Sequence, residues 1–196
     1  MTTPAPQTRI SAPLVDELKR RLGEEKVSSA KEDLFVYAYD ASLQGKSAPD
    51  VAVFPTCTED VVCLVKFAVE HRIPIYPRGA GTGRSGGAVP SHGGIALVMT
   101  RMNRILEINE EDLTATAEPG VVLHELKEAV RKIGLLYPPD PASAKACTLG
   151  GNVAECAGGL RGMKYGVTRD YVLQLEVVAM DGAVLRLGAG TMKSVT

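Results

Sequence analysis

The residues best suited to chemistry lie in one glycine-rich stretch, 77–87, which reads Pro-Arg-Gly-Ala-Gly-Thr-Gly-Arg-Ser-Gly-Gly. Its five glycines are accompanied by four polar side chains, Arg78, Thr82, Arg84 and Ser85, and by no large apolar one. Glycines let a ligand approach successive main-chain N–H groups, and such donors beside arginine and hydroxyl groups suit a phosphate or pyrophosphate. A flexible linker is the alternative. Apolar, strand-like runs at 73–76 and 95–99 argue against it, so we predict a phosphate-binding loop.

The sequence G-x-G-x-x-G occurs within this stretch at Gly81, Gly83 and Gly86, but its surroundings do not fit a Rossmann fold. That motif must open a helix whose N-terminus holds the pyrophosphate. Here more glycines and Pro90 are followed by a strand, which leaves no place for a helix. A P-loop is excluded as well, because no Gly-Lys-Ser/Thr follows at the required spacing. A cradle made of loop amides alone is compatible with both exclusions.

A second stretch rich in small residues spans 135–166 and allows two interpretations. Gly150-Gly151-Asn152 and Gly158-Gly159 leave bare backbone around Cys156 and Ala157. Either a flat ligand lies against the chain there, or two backbones pack tightly. Asp140 and Ser143 could bond a ribose or phosphate, although they are equally ordinary in turns. Lys164-Tyr165-Gly166 either contacts a cofactor ring or simply ends the loop.

Composition excludes several classes of function. The 196 residues include 22 basic and 23 acidic ones, for a net charge of −1, so no overall field favours nucleic acid or an anionic membrane. No apolar run approaches the roughly 18 residues of a spanning helix, and the opening residues lack the apolar centre of a secretory signal. We therefore expect a cytoplasmic location, with membrane association through a partner left open.

The cysteines and histidines give no sign of a metal site. None of the four cysteines forms a C-x-x-C pair, and the three histidines are scattered. A structural zinc site is therefore not expected, and free thiols in a reducing compartment are the better interpretation. Cys147 and Cys156 are expected to be small buried side chains rather than nucleophiles.

Apolar periodicity predicts the elements of the first half. We expect disorder in the opening residues, a helix over 13–22 between Ser11 and Gly23, and an irregular segment over 31–45. A strand at 50–54, a helix from Thr56 or Thr58 to His71 and a strand at 73–76 form a βαβ unit with parallel strands.

The second half alternates strands, turns and helices. Strands are predicted at 95–99, 105–108 and 114–118, followed by a helix over 123–133 that Gly134 ends. Residues 148–157 could form a short helix. A hairpin is predicted from strands at 173–180 and 184–187 around Asp181-Gly182.

Three segments in this order resemble the FAD-binding domain of the FAD-linked oxidases, the family of vanillyl-alcohol oxidase and p-cresol methylhydroxylase. They are the glycine loop 77–87, Pro138-Pro-Asp-Pro-Ala-Ser, and Thr148-Leu-Gly-Gly-Asn-Val-Ala-Glu-Cys-Ala-Gly-Gly. Within that family the chain is most similar to the glycolate oxidase FAD subunit and D-lactate dehydrogenase group. The resemblance covers about 34–196.

The resemblance implies an α+β, two-lobed FAD-binding domain of the p-cresol methylhydroxylase type. A tail and helix would occupy 1–33, and a small first lobe containing the βαβ unit and the glycine loop would span 34–108. A larger mixed α+β lobe would span 109–196 and be incomplete at its C-terminal side. Family members continue into a substrate-capping domain, so we expect this chain to be an N-terminal portion without that cap.

The resemblance also implies which residues bind FAD between the two lobes. The pyrophosphate loop would be formed by Pro77, Arg78, Gly79, Ala80, Gly81, Thr82 and Gly83, with Ser85 and Gly86 nearby. The next part of the groove would be lined by Pro139, Asp140 and Ser143. The ribityl chain and flavin ring would lie along Thr148, Gly151, Asn152, Ala157, Gly158, Tyr165 and Gly166. Relatives that attach FAD covalently from this loop have histidine where this chain has Thr82, so we expect noncovalent FAD.

The function implied is the FAD-binding portion of a flavin-dependent 2-hydroxy-acid oxidase or dehydrogenase acting on glycolate or D-lactate. Substrate hydride would pass to the flavin and electrons to another acceptor, which could be an electron-transfer subunit. No catalytic or metal-binding residue is assigned, and neither nucleic-acid binding nor a membrane span is expected. The alternatives are another oxidase of the superfamily, such as an alkyl-glycerone-phosphate synthase or an aromatic alcohol oxidase, and a non-catalytic flavin- or nucleotide-binding fragment.

Overall fold

Helix α1 (Ala12–Leu22) is the first element of the described part of the chain, and it confirms the first predicted helix. The structure is a computed structural model, which describes residues 9–43 and 45–189. Ser11 occupies the N-cap position, and Gly23, at φ 104°, ends the helix. Leu18 and Leu22 turn the apolar side of α1 into the core. Disorder was predicted for the opening residues, and residues 1–8 lie outside the described part of the chain.

A four-stranded sheet organises the first half of the molecule, in the order β1-β2-β4-β3. The strands are β1 (Val27–Ser28), β2 (Val51–Val53), β3 (Ile75–Arg78) and β4 (Ile95–Val98). Both β2 and β3 pair with β4 in parallel, while β1 pairs with β2 antiparallel. The parallel direction of the βαβ strands is therefore confirmed, but β4 lies between them.

The core of this half lies between the sheet and helix α3 (Thr58–His71). Val51, Leu64, Phe67 and Ile95 are all 0% exposed. Every residue of β2 and β4 is buried, as expected for parallel strands covered on both faces. The glycine loop, 77–87, begins within the last two residues of β3.

Three local predictions for this half were wrong. The N-cap of α3 is Cys57 rather than a threonine, and Thr56 instead hydrogen-bonds to Asp60. The segment predicted as irregular contains α2 (Lys31–Leu34), continued by a 3₁₀ turn (Phe35–Tyr37). Strand β3 starts two residues late, because the Ile73 amide still donates to the Ala68 carbonyl of α3.

Up to residue 189, the second half contains two antiparallel hairpins, three α-helices and a 3₁₀ turn (Thr168–Tyr171). The first hairpin pairs β5 (Ile105–Asn109) with β6 (Thr114–Ala117), and the second pairs β7 (Gln174–Val178) with β8 (Val184–Gly188). The helices are α4 (Leu123–Arg131), α5 (Leu149–Ala154) and α6 (Gly162–Tyr165). The predicted hairpin around Asp181-Gly182 is confirmed, and the predicted strands 105–108 and 114–118 pair with each other. Helix α4 starts where predicted but ends earlier, at Arg131, with Lys132 and not Gly134 as its C-cap. The predicted lobe boundary at 108/109 stays a prediction, and β5 pairs with β6 across it.

The glycine loop connects β3 to β4 without forming a helix. Residues 79–94, all of which are described, contain only bends, turns and isolated bridges. The rejection of the G-x-G-x-x-G as a Rossmann motif is therefore confirmed. Among the helices within residues 9–43 and 45–189, none has the length and apolar composition needed to cross a bilayer.

Candidate functional site

Arg78 is the last residue of β3, and its side chain turns into the protein. It is 7% exposed. Nη1 donates to the Tyr39 carbonyl at 2.7 Å and Nη2 to the Val36 carbonyl at 3.2 Å. The guanidinium also lies over the Tyr37 ring, 5.6 Å from its centroid. Burial lowers the pKa of Arg78, while nearby Asp40 acts in the opposite direction.

The first glycines of the loop are packed so closely that no Cβ would fit. A Cβ on Gly79 would overlap Thr148 Oγ1, and one on Gly81 would overlap the Arg78 guanidinium. Gly81 also has φ +70°, a conformation that other residues rarely adopt. The Gly79 contact brings the first predicted motif against the third, which is about 70 residues away in sequence.

The next part of the loop presents unused hydrogen-bond donors. Within residues 9–43 and 45–189, the backbone amides from Ala80 to Gly83 donate to no protein acceptor. Gly83 has an unstrained φ, and its nearest contact to an added Cβ would be Glu155 Cδ at 3.9 Å. On its other side, the Gly83 carbonyl accepts from the Ala41 amide at 3.0 Å. Successive free amides form the kind of concavity that binds phosphate.

Helix α5 lies along the glycine loop and touches it at both ends. Thr148, at the N-cap, contacts Gly79. Glu155 follows the helix, and its Oε2 accepts a hydrogen bond from Ser85 Oγ at 2.6 Å. The Glu155 carboxylate also faces Gly87, where an added Cβ would lie 3.2 Å from Oε1. The loop and the helix therefore form two sides of one site.

Asn152 of α5 carries a polar group without a partner. The residue is 4% exposed, and its Nδ2 has no hydrogen-bond acceptor among the described residues. Native structures rarely leave a buried amide unpaired, so such an atom indicates a missing ligand or water. Together with the free amides of Ala80–Gly83, this donor fits a cofactor with phosphate and polar chain oxygens.

The Asp140 region is held by internal contacts. Lys127 Nζ donates to Asp140 Oδ1 at 2.5 Å and to the Pro139 carbonyl at 3.2 Å. Arg161 lies 3.6 Å from the other carboxylate oxygen. The hydrogen bond from Lys127 is the main cause that lowers the pKa of Asp140. The Ser143 carbonyl accepts the amides of two later residues, as in a turn.

The second glycine stretch joins the Asp140 region to α5. The Asp140 amide donates to the Gly158 carbonyl at 3.2 Å, and the Ala157 amide donates to the Asn152 carbonyl at 2.9 Å. Gly159 has φ +124°, and an added Cβ would overlap the Asp140 carbonyl oxygen. Tight backbone packing, one of the two interpretations of this stretch, is thus present at Gly159.

The remaining candidates lie at the outer end of this stretch. Tyr165 is 40% exposed, and its carbonyl accepts the Tyr171 hydroxyl at 2.5 Å. Gly166 follows at φ +85°. Among the described residues, no hydrogen bond joins 139–143 directly to 77–87.

Two contacts of the site were missed from sequence. The Val36 and Tyr39 carbonyls accept hydrogen bonds from Arg78. Every residue has a backbone carbonyl, so residue type does not indicate which carbonyls serve as acceptors. Glu155 stands in the third motif and could have been singled out as its one charged residue. In the described part of the chain, no group of three or more His, Cys, Asp or Glu side chains could hold a metal.

Comparison with curated proteins identifies relatives over nearly the whole chain. The chain is 46% identical over 186 residues to glycolate oxidase subunit GlcD of Bacillus subtilis, covering 95% of this chain and 40% of that protein. It is 45% identical over 155 residues to D-lactate dehydrogenase of Anaerostipes hadrus, covering 79% and 32%. It is 38% identical over 183 residues to D-2-hydroxyglutarate dehydrogenase of Stutzerimonas stutzeri, covering 93% and 39%. The chain thus spans 40% or less of the length of these relatives.

Solved structures and a family model agree with these relatives. An alkyldihydroxyacetonephosphate synthase matches with a TM-score of 0.81 and 28% identity, covering 95% of this chain and 36% of that one. A p-cresol methylhydroxylase with bound substrate matches with a TM-score of 0.78 and 28% identity, covering 89% and 34%. The family model described as "FAD binding domain" matches residues 49–188, which is most of the chain. The chain therefore belongs to the FAD-binding-domain family of the FAD-linked oxidases, has the mixed α+β fold of the p-cresol methylhydroxylase type, and uses FAD as its cofactor.

Proposed function

We propose that this chain is the FAD-binding portion of a flavin-dependent 2-hydroxy-acid oxidase or dehydrogenase that acts on glycolate or D-lactate. The observation that carries the proposal is the row of unused amides from Ala80 to Gly83, together with the buried, unpartnered amide of Asn152 on the helix that contacts this loop. The names of the relatives support the substrate class, since each of the three names describes the oxidation or dehydrogenation of a 2-hydroxy acid.

In this proposal each predicted group of residues holds a different part of FAD. The loop amides bind the pyrophosphate, the Asp140 region lines the adjoining groove, and α5 with the residues that follow it holds the ribityl chain and ring. The division into lobes at 34–108 and 109–196 belongs to the same proposal. Thr82 has no ring nitrogen that could bond to the flavin, so the cofactor is held noncovalently.

The reaction assigns separate tasks to the cofactor and to this chain. When bound, FAD supplies a ring that accepts a hydride from the substrate carbon. The chain's own residues bind and orient the cofactor, and none of them is assigned as a general base. In this proposal, residues outside this chain bind the 2-hydroxy acid at the flavin ring, and the electrons pass from the flavin to a partner. The naming of one relative as a glycolate oxidase subunit favours such a partner.

The test is FAD binding by the purified chain, followed by flavin fluorescence and absorbance. Gly83→Val adds a side chain to the segment with the free amides, at an ordinary φ, and the nearest atom lies 3.9 Å from the added Cβ. Gly45→Val is the matched control, because an added Cβ there meets nothing within 4 Å. We expect Gly83→Val to weaken FAD binding at least about tenfold and Gly45→Val to leave it unchanged, with equal melting temperatures.

Three results decide the parts of the proposal. A wild-type chain that gains no flavin signal would refute FAD binding at this site. Flavin that stays with the protein after denaturation and precipitation would refute noncovalent attachment. Bleaching of the bound flavin by anaerobic glycolate or D-lactate would show that the chain alone oxidises substrate, whereas we expect no bleaching from residues 1–196 alone.

A further inference from the structure

The segment 138–141, Pro-Pro-Asp-Pro, has little means of joining a hydrogen-bonded structure through its backbone. Proline carries no amide hydrogen, so Asp140 supplies the only backbone N–H of these four residues. That amide donates to the Gly158 carbonyl at 3.2 Å. Any further hydrogen bond that holds this segment must therefore come from the Asp140 side chain or from the segment's own carbonyls.

Lys127 of α4 provides contacts of both kinds. Its Nζ donates to Asp140 Oδ1 at 2.5 Å and to the Pro139 carbonyl at 3.2 Å. The side chain of this lysine is only 17% exposed, whereas most lysines are solvated. A partly buried ion pair that carries a second hydrogen bond fixes its partners better than an exposed pair does.

Helix α4 is also joined to the residues that follow this segment. In its first turn, two backbone amides donate to the carbonyls of Ala144 and Cys147, both at 3.0 Å. Lys127 lies about one turn further along the helix. The helix therefore holds 139–147 at two places, with its backbone at one end and with Lys127 at the other.

The carboxylate of Asp140 faces cations of the protein with both of its oxygens. Oδ1 accepts the hydrogen bond from Lys127, and Oδ2 lies 3.6 Å from Arg161 Nε. The Asp140 backbone meanwhile packs against Gly159, where an added Cβ would overlap the Asp140 carbonyl oxygen. A cofactor hydroxyl would have to share the carboxylate with two cations, so this arrangement favours a role inside the protein.

We propose that Asp140 is a positioning residue, which together with Lys127 fixes 138–141 against the glycine pair 158–159, and that its carboxylate does not contact the cofactor. This rests on the proposed function, in which the Asp140 region lines the groove for FAD. Of the two roles that the sequence leaves open for Asp140, a ligand contact and the support of a turn, the proposal selects the second and extends it to FAD binding.

The effect on FAD binding follows from what the pair holds together. Residues assigned to the groove stand on both backbones, Pro139 and Ser143 on one and Gly158 on the other. Without the pair, 138–141 keeps only the Asp140 amide and the packing against Gly159. The cofactor would then have to order the groove on binding, and that cost would reduce its affinity.

The first experiment measures FAD affinity by flavin fluorescence for Lys127→Met, Asp140→Ala and the double variant. Methionine keeps the apolar stem of lysine but cannot pair, and alanine removes the carboxylate. We expect each single variant to bind FAD about fivefold more weakly than wild type. The double variant should bind no more weakly than either one, because the pair acts as a unit. Lys127→Arg keeps the charge and should stay within about twofold of wild type.

The second experiment measures amide hydrogen exchange at Asp140 in the FAD-free protein. We expect exchange at least about tenfold faster in Lys127→Met than in wild type, because the segment opens more often. Arg131→Gln is the matched control for both experiments, since it breaks an exposed pair with Glu128 one turn further along the same helix. It should leave FAD affinity and the exchange rate unchanged. Lys127→Gln replaces Lys127→Met if the latter does not fold.

Four results would contradict these expectations. Additive losses in the double variant, or a loss in Asp140→Ala that Lys127→Met does not share, would show that the carboxylate contacts FAD and would overturn the inference. Unchanged exchange in Lys127→Met would overturn it as well, since the lysine would not hold the segment. So would a lower melting temperature of Lys127→Met with wild-type FAD affinity, which would reduce the pair to a contribution to stability. Absence of FAD binding by the wild-type chain would refute the proposed function, and exchange at Asp140 would still decide whether Lys127 positions the segment.

Discussion

The two glycine-rich stretches of this chain use their glycines for different purposes. In the loop after β3, the glycines begin tightly packed at Gly79 and Gly81 and then open at Gly83, where amides are left free. In the stretch after α4, close packing occurs at two glycines, with Gly150 against Pro119 and Gly159 against Asp140. Glycine content alone therefore does not distinguish ligand access from backbone packing. The neighbours of each glycine do.

Replacing Gly159 should give the largest effect of this comparison. Gly159→Ala would force a side chain into φ +124° and into the Asp140 carbonyl. We expect the free energy of unfolding to fall by about 3 kcal/mol or more, measured by chemical denaturation.

Gly162→Ala is the control within the same stretch. Its added Cβ would lie 3.6 Å from Val167 Cγ1 at an ordinary φ, so we expect a change below about 0.5 kcal/mol. Equal losses in the two variants would mean that the packing at Gly159 is not tighter than elsewhere in the stretch.

Most of the fold could be predicted because apolar periodicity reports burial. Helix α3 and strands β2 and β4 carry the unbroken apolar faces that place them in the core. The insertion of β4 between β2 and β3 was not predictable, because local periodicity does not encode strand order. Helix α2 was missed because the aromatic residues that follow it satisfy both helical and strand spacing.

The candidate site was predictable in its motifs but not in its contacts. The free amides of the loop followed from residue type, since glycines and small polar residues offer backbone. The inward turn of Arg78 did not, because its acceptors are carbonyls about 40 residues earlier. The Ser85–Glu155 bond joins residues 70 positions apart, which no local pattern reveals.

Asn152 provides the second test, because it is the buried polar residue of the second stretch that lacks a protein partner for its Nδ2. Asn152→Leu removes that unpaired donor, so we expect unchanged or slightly higher stability without FAD. FAD affinity should fall about tenfold, since the donor that the cofactor would use is gone. Thermal melting and flavin titration measure the two quantities.

Thr168 is the matched comparison, as a buried polar residue whose hydroxyl is paired. It is 0% exposed, and its Oγ1 donates to the Ala157 carbonyl at 2.6 Å. Thr168→Val should therefore lower the free energy of unfolding by about 1 kcal/mol. A loss of the same size in Asn152→Leu without FAD would show that Asn152 already serves the protein's own structure.

Acid should produce the smallest effect, which we test at Asp140 of the second stretch. The hydrogen bond from Lys127 lowers the pKa of Asp140 in the folded protein, so the carboxylate contributes stability above its unfolded pKa. That contribution is lost as the pH falls through the lowered, folded value. Because the Asp140 side chain is 36% exposed, we expect less than about 1 kcal/mol between wild type and Asp140→Asn at neutral pH. The difference should vanish once the pH lies below the lowered pKa of the folded protein. Thr168→Val removes no titratable group, so its effect on stability should be the same at neutral and acid pH. A change with pH as large as that of Asp140→Asn would mean that the Asp140 contact is not the source of the acid sensitivity.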